Sequence, residues 1–244
     1  MTRIAILETG QPPEGLRDRF DDYPARFRAL LGEGVPTVRF DVQAGRLPED
    51  PAAFTGAIVT GSAAGVYDDH LPWIGALTDW LRTARGRVRL LGICFGHQIM
   101  AHAFGGRVEK SDKGWGVGLH AYDVVGHEPW MHPRATRLAI PVSHQDQVVA
   151  APSDARVIAT SAFTPYAGLA WGQDAVSFQC HPEFQPDYAA ALIEGRRGHR
   201  IPQAVADAAI ESLGRPNDRA VLTAWIRAFL LLTPPPVEGE GSGI

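Results

Sequence analysis

The chain has 244 residues, 45% hydrophobic and 20% charged, with a formal net charge of −4. That is the make-up of one large globular α/β domain, and it offers no basic surface for nucleic acid or an acidic membrane. No apolar run reaches the roughly 20 residues that span a bilayer, and two cysteines are too few for a disulfide framework. The basic residues are 21 Arg against 2 Lys, Lys110 and Lys113, a bias read as genome composition rather than function. Residues 4–7 predict a first core strand, and the opening segment turns acidic too soon, at Glu8, for a signal peptide. Leu16, Phe20, Tyr23, Phe27, Leu30 and Leu31 recur at helical spacing and predict one helix. Residues 37–42 and 57–60 predict a second and a third strand, the latter apolar on both faces. Trp73, Ile74, Leu77, Trp80 and Leu81 mark a second helix, and residues 90–93 a fourth strand.

This β-α-β alternation implies a three-layer, flavodoxin-like open sheet, mostly parallel in its core, with helices on both faces. Residues 106–180 carry strand patterns with little helical signal and predict an antiparallel extension of the sheet. Residues 186–232 are helical again, with breaks around Gly198 and at Gly214-Arg215-Pro216. Residues 1–233 read as a single domain without internal repeats, and the Pro/Gly-rich 234–244 as a disordered tail.

The chemistry concentrates at Leu90-Leu91-Gly92-Ile93-Cys94-Phe95-Gly96-His97-Gln98. A buried strand meets Gly-x-Cys-x-Gly and a helix follows, which is the layout of a nucleophile elbow with cysteine in place of serine. The turn sets the Cys94 sulfur beside a helix N-terminus, where the dipole and free N–H groups favour the thiolate. Far downstream, Ser177-Phe178-Gln179-Cys180-His181-Pro182-Glu183 closes another strand-like run. Pro182 holds His181 extended, so Glu183 can reach back to orient the imidazole. Cys94, His181 and Glu183 are thus the predicted nucleophile, base and orienting carboxylate. Cys180 adjoins His181 on a strand and points to the opposite face, so it is assigned to packing. The elbow makes the Phe95 N–H one donor for a tetrahedral oxyanion.

With these motifs the sequence resembles the class I, or triad, glutamine amidotransferases. Four further segments match in family order: Ala57-Ile58-Val59-Thr60-Gly61-Ser62, Gly105-Gly106-Arg107-Val108, Trp115-Gly116-Val117-Gly118 and Val142-Ser143-His144-Gln145-Asp146. The resemblance implies a second oxyanion donor near Gly61 and substrate contacts from Gln98 and the Ser143-His144-Gln145 backbone. A bare polar helix residue is the alternative for Gln98. It implies a small-molecule substrate, glutamine or a γ-glutamyl compound, cleaved through a Cys94 thioester, while the two cysteines and the early acidic N-terminus fit a cytoplasmic enzyme with a free reactive thiol. No cofactor is implied, and the remaining histidines lack metal-ligand spacing. Gly114-x-Gly116-x-Gly118 has the wrong spacing for a dinucleotide loop.

One segment departs from the family. Gly61-Ser62-Ala63-Ala64-Gly65-Val66-Tyr67-Asp68-Asp69 stands where many members carry Gly-Gly-Pro, which alters a pocket wall. The sequence resembles the stand-alone members, similar to the amidotransferase portion of GMP synthase but without the synthetase. The expected function is a γ-amide hydrolase. A glutaminase subunit feeding a separate synthetase chain, or a non-catalytic regulatory module on the same scaffold, are the alternatives.

Overall fold

The computed structural model describes residues 2–231, so the 234–244 tail lies outside the described residues. In chain order the elements are β1 (Ile4–Glu8), α1 (Glu14–Arg17), α2 (Tyr23–Leu31), β2 (Thr37–Asp41), β3 (Gly56–Val59), α3 (Pro72–Ala84), β4 (Arg89–Ile93) and α4 (Phe95–Ala103). There follow β5 (Arg107–Lys110), β6 (Gly116–Val124), β7 (Arg137–His144), β8 (Asp146–Ala150), β9 (Arg156–Thr160), β10 (Gly168–Trp171) and β11 (Ala175–Phe178). Three helices close the described chain: α5 (Pro186–Glu194), α6 (Gln203–Ser212) and α7 (Arg219–Phe229).

A nine-stranded sheet runs β2-β1-β3-β4-β11-β10-β9-β6-β7. Its first five strands pair in parallel, in the doubly wound order that opens a crevice past the strand ends. The other four pair antiparallel. The expected three-layer sheet, parallel in its core and extended antiparallel, is the architecture found. One difference is that β5 and β8 form a separate two-stranded sheet rather than extending the main one. Gly105, at φ 98°, turns the chain off the end of α4 into β5, a conformation that favours glycine.

Strand alternation builds two cores. Ile4, Ile6, Ile58, Leu91 and Ile93 face α2 and α7 through Phe27, Leu31, Leu222 and Trp225. Ala5, Leu7, Ala57, Val59 and Leu90 face α3 and α4 through Trp73, Leu77, Ile99 and Met100. Each fully buried Ile or Leu contributes about 1.5–3 kcal/mol. Helices α5 and α6 pack in a third cluster around Phe184 and Tyr188. No helix among the described residues is long and apolar enough to cross a membrane.

The single helix expected from Leu16 to Leu31 is two. Asp22 caps α2 by accepting from the Ala25 N–H at 2.7 Å, and Pro24 sits in that first turn. Proline has no N–H for a helix arriving from upstream, so the chain must restart there. Phe20 leaves the helical stripe and packs edge-on against Tyr188, ring centroids 5.3 Å apart.

Candidate active site

Strand β4 delivers Cys94 to the carboxyl edge of the sheet. Its backbone is strained, with φ 54° and ψ −103°, a region costly for any residue with a Cβ. The flanking glycines make the turn sterically attainable. A Cβ at Gly92 would strike the Gly96 carbonyl and lie 2.6 Å from the Met100 sulfur, and one at Gly96 would strike the Val59 carbonyl. The Cys94 N–H donates to Phe178 O at 2.9 Å, tying the elbow to β11. The ladder of α4 begins with Gln98 N–H to Cys94 O at 3.0 Å. The N–H groups of Phe95, Gly96 and His97 therefore precede it, at the positive end of the helix.

The neighbouring strand supplies the imidazole. Phe178 stands opposite Ile93 in parallel register, so the residues just after β11 emerge beside Cys94. The His181 N–H donates to Pro141 O at 2.8 Å, fixing the backbone there. Nδ1 of His181 lies 2.7 Å from Oε1 of Glu183, and His181 and Cys94 line the same cavity, the thiol itself reaching Ser143 O at 4.0 Å. With Nδ1 committed to Glu183, Nε2 is the atom left for the sulfur. The ring stacks on Phe184 at 3.8 Å and 7°, which leaves it one orientation. Cys94, His181 and Glu183 are 5%, 3% and 4% exposed. Burial alone pushes the imidazole down, but the negative charges of Cys94 and Glu183 outweigh it and raise its pKa to about 10. The second Glu183 oxygen is buried without a hydrogen-bond partner among the described residues.

Gly61, two residues past β3, lies beside both Cys94 and His181. A Cβ there would come within 3.1 Å of His181 Cε1 and 3.8 Å of Cys94 Cβ. The segment is anchored by Thr9, whose hydroxyl donates to the Thr60 carbonyl at 2.9 Å while its N–H donates to Thr60 Oγ1 at 3.0 Å.

Beside Cys94 lies a cavity of about 260 Å³ walled by Ser62, Tyr67, Asp68, Gln98, Ser143 and Asp146, among others. Gln98 lines it, but its amide nitrogen is spent on Asp146 O at 2.8 Å and Gln179 Oε1 at 3.2 Å. What Gln98 can turn to a ligand is its carbonyl oxygen. Ser143 Oγ accepts from Arg196 at 2.8 Å. The His144 side chain bonds Asp146 O through Nδ1 at 3.2 Å, and burial lowers its pKa to about 3. It is neutral at ordinary pH. Asp146 accepts from the Tyr67 hydroxyl at 2.7 Å. Cys180 is 3% exposed in the apolar core, where burial pushes its thiol well up.

The family model described as Glutamine amidotransferase class-I matches residues 28–194. The chain belongs to this family. Gamma-glutamyl peptidase 4 of Arabidopsis thaliana is 29% identical over 74% of this chain and 75% of its own. A glutamine-hydrolyzing GMP synthase of Thermomicrobium roseum is 33% identical over 75% of this chain but only 35% of its own length. A glutamine amidotransferase structure from Thermotoga maritima superposes with TM-score 0.73 at 20% identity, covering 94% of this chain and 96% of that one. The chain is a cysteine-nucleophile amide hydrolase of the glutamine amidotransferase type.

Two family-site supports were not foreseen from sequence. Arg219 of α7 donates from Nε to Pro182 O and from Nη1 to Gln185 Oε1, both at 2.8 Å, clamping the His-Pro-Glu turn. Arg196 reaches Ser143 and lies 5.2 Å over the Trp115 ring. Both sit in helical or turn segments whose pattern signals only secondary structure. The break at Gly198 was the sole local hint that Arg196 leaves a helix.

Proposed function

We propose that Cys94, His181 and Glu183 are the catalytic triad of a stand-alone γ-glutamyl amide hydrolase. The observation that carries this is the convergence of Cys94 and His181 on one cavity beside Gly61, with the imidazole held by Glu183 Oε1 at 2.7 Å. The thiolate attacks the γ-amide carbon. The resulting oxyanion takes the Phe95 N–H and the backbone near Gly61. His181 gives its proton to the departing amine, leaving a thioester on Cys94. Water, losing a proton to His181, then attacks the thioester and releases the acid and the thiolate.

The adjoining 260 Å³ cavity suits the α end of the glutamyl group. It offers the carboxylates of Asp68 and Asp146 and the cations of Lys110, Arg196 and Arg200, the two signs that a free amino acid zwitterion needs. Gln98, Ser143 and His144 belong to this wall, Gln98 through its carbonyl and the other two through the shape of their segment.

Likeness to a γ-glutamyl peptidase over three quarters of both chains supports hydrolysis without a partner. Likeness to a third of a GMP synthase supports the second reading, ammonia supply to a separate synthetase chain. We take residues 1–233 as one domain acting in the cytoplasm, where the free thiols Cys94 and Cys180 stay reduced. The test is kcat/KM of the purified chain for glutamine, γ-glutamyl dipeptides and the N-acetylated form of each. Cleavage of the free dipeptides without added protein, with loss on N-acetylation, is expected. Activity on glutamine alone, and only with a second protein, would install the subunit reading instead.

A further inference from the structure

Cys94 borders a second cavity, of about 390 Å³, that shares Ser62, Ala63, Ser143, Arg196 and Arg200 with the first. His181 lines this one and not the other. If the triad acts as proposed above, the imidazole must hand its proton to the amine as it departs, so the leaving group occupies the His181 side. Ammonia needs no more room than a water molecule, whose share of liquid volume is about 30 Å³. The cavity is an order of magnitude larger.

Its charge is one-sided. Arg17, Arg196 and Arg200 line it together with His199, and neither Asp nor Glu is in its wall. The glutamyl cavity, by contrast, has Asp68 and Asp146 facing its cations. Arg197, one residue from Arg196, is consumed by ion pairs with Glu194 and Asp207. Arg17, Arg196 and Arg200 make no ion pair with a carboxylate among the described residues. Two of the three are held in place. Arg17 donates from Nε to Pro12 O at 2.9 Å, and Arg196 is bonded to Ser143 and packed on Trp115. Burial, with Arg200 acting in the same sense, pushes the Arg196 guanidinium below its usual range. The arginines arrive from separate elements, Arg17 from α1 and the other two from the turn after α5, so they converge on the space between.

We propose that this cavity is a carboxylate-recognising subsite for the leaving amine: the substrate is a γ-glutamyl amino acid or peptide whose amine portion ends in a free carboxylate, gripped by Arg17 and Arg200. Guanidinium and carboxylate pair through two parallel hydrogen bonds, so the site discriminates charge and not bulk. It rests on the amide-hydrolase reading and adds to it the chemistry of the second product, an amino acid or peptide in place of ammonia.

The experiment compares kcat/KM for γ-glutamyl-alanine, γ-glutamyl-alaninamide and glutamine in the wild-type chain and in Arg17→Met, Arg200→Met and Arg19→Met. Alanine and alaninamide differ in charge and hardly in size. The wild type is expected to prefer the carboxylate by at least tenfold. Arg17→Met and Arg200→Met should each bring that ratio toward one, whereas Arg19→Met, outside the cavity, should keep it. A ratio within one preparation is insensitive to partial misfolding. Equal wild-type rates on the acid and the amide, or a ratio that survives in both pocket variants, would overturn the subsite and leave the hydrolase reading intact. Failure of the wild type on all three compounds would overturn the hydrolase reading itself.

Discussion

The site has a floor and walls, and they are made differently. The floor is Cys94, His181 and Gly61, each one to three residues past the end of a parallel strand in the run β3-β4-β11. Its geometry follows from strand register, which a packed sheet holds rigid. The walls are mostly connections and strand ends: 62–68 after β3, the corner at 143–146 where β7 passes into β8, and 196–200 after α5. They meet through side-chain bonds such as Tyr67 to Asp146 and Arg196 to Ser143. Bond-making belongs on the floor, where a fraction of an ångström matters. Substrate choice belongs on the walls, which a change of loop can alter without disturbing the sheet. Floor substitutions should therefore act on kcat and wall substitutions on KM.

The sharpest test of that division sets the two cysteines against each other. Cys94→Ala should abolish amide hydrolysis, a loss on the order of 10⁶-fold as for other nucleophiles acting within a triad. Cys180→Ala should retain activity, at a stability cost of about 1 kcal/mol for the buried atom removed. A glutamine-analogue electrophile should label Cys94, read by peptide mass spectrometry. Labelling of Cys180 would move the floor one strand over.

Next in size is Glu183→Gln. It keeps the shape of the turn but removes the charge on which His181 Nδ1 leans at 2.7 Å. By the analogy of serine triads, kcat should fall about 10⁴-fold. The pH profile carries a second signature. Glu183 is one of the negative charges that raise the imidazole to about 10 despite burial. Without it the ring loses its proton at lower pH, so the alkaline limb of kcat/KM should move down. A profile unmoved by the substitution would separate Glu183 from the reaction.

The floor was readable because its rules are local. Gly92 and Gly96 around Cys94 announce the elbow, and His181-Pro182-Glu183 announces an imidazole and a carboxylate set across one rigid turn. The parallel core was equally legible from the apolar alternation of residues 4–7, 57–60 and 90–93. The walls obey no local rule. Tyr67 and Asp146 are 79 residues apart, Ser143 and Arg196 are 53 apart, and Pro182 and Arg219 are 37 apart. Nothing in a helical stripe says which arginine will turn toward a strand end. The mistaken single helix from Leu16 to Leu31 has a local cause, since Asp22 and Pro24 carry a cap-and-restart signal that the apolar spacing masked.

Gly61→Ala probes the floor at a lesser depth. The added methyl would sit 3.1 Å from His181 Cε1, so the ring must shift by a few tenths of an ångström. The sheet is untouched, and folding should survive. Misplacement of a base by up to 1 Å costs as much as 10²-fold, and a smaller shift should lower kcat about tenfold with KM nearly constant. A variant with raised KM and full kcat would instead place Gly61 in a wall.

The smallest expected effect is in the wall itself. Tyr67 is 46% exposed, and its hydroxyl donates to Asp146 Oδ2 at 2.7 Å. Burial pushes the Asp146 carboxyl up, while Tyr67 and Lys110 pull it back toward the charged form. Tyr67→Phe removes one of those supports and leaves the ring to cover the cavity. A hydrogen bond to a charged group is worth about 1.5–3 kcal/mol when shielded, and water at this half-open site replaces most of it. Roughly 1 kcal/mol should remain, which is about a fivefold rise in KM for a γ-glutamyl dipeptide. Because Asp146 is proposed to meet the α-ammonium group, ground state and transition state lose the same contact and kcat should hold. The rise should also be larger at mildly acidic pH, where the less supported carboxylate protonates earlier than in the wild type. A fall in kcat with KM unchanged would mean that the Tyr67–Asp146 pair positions the reacting bond, and the line between floor and walls would have to be redrawn through it.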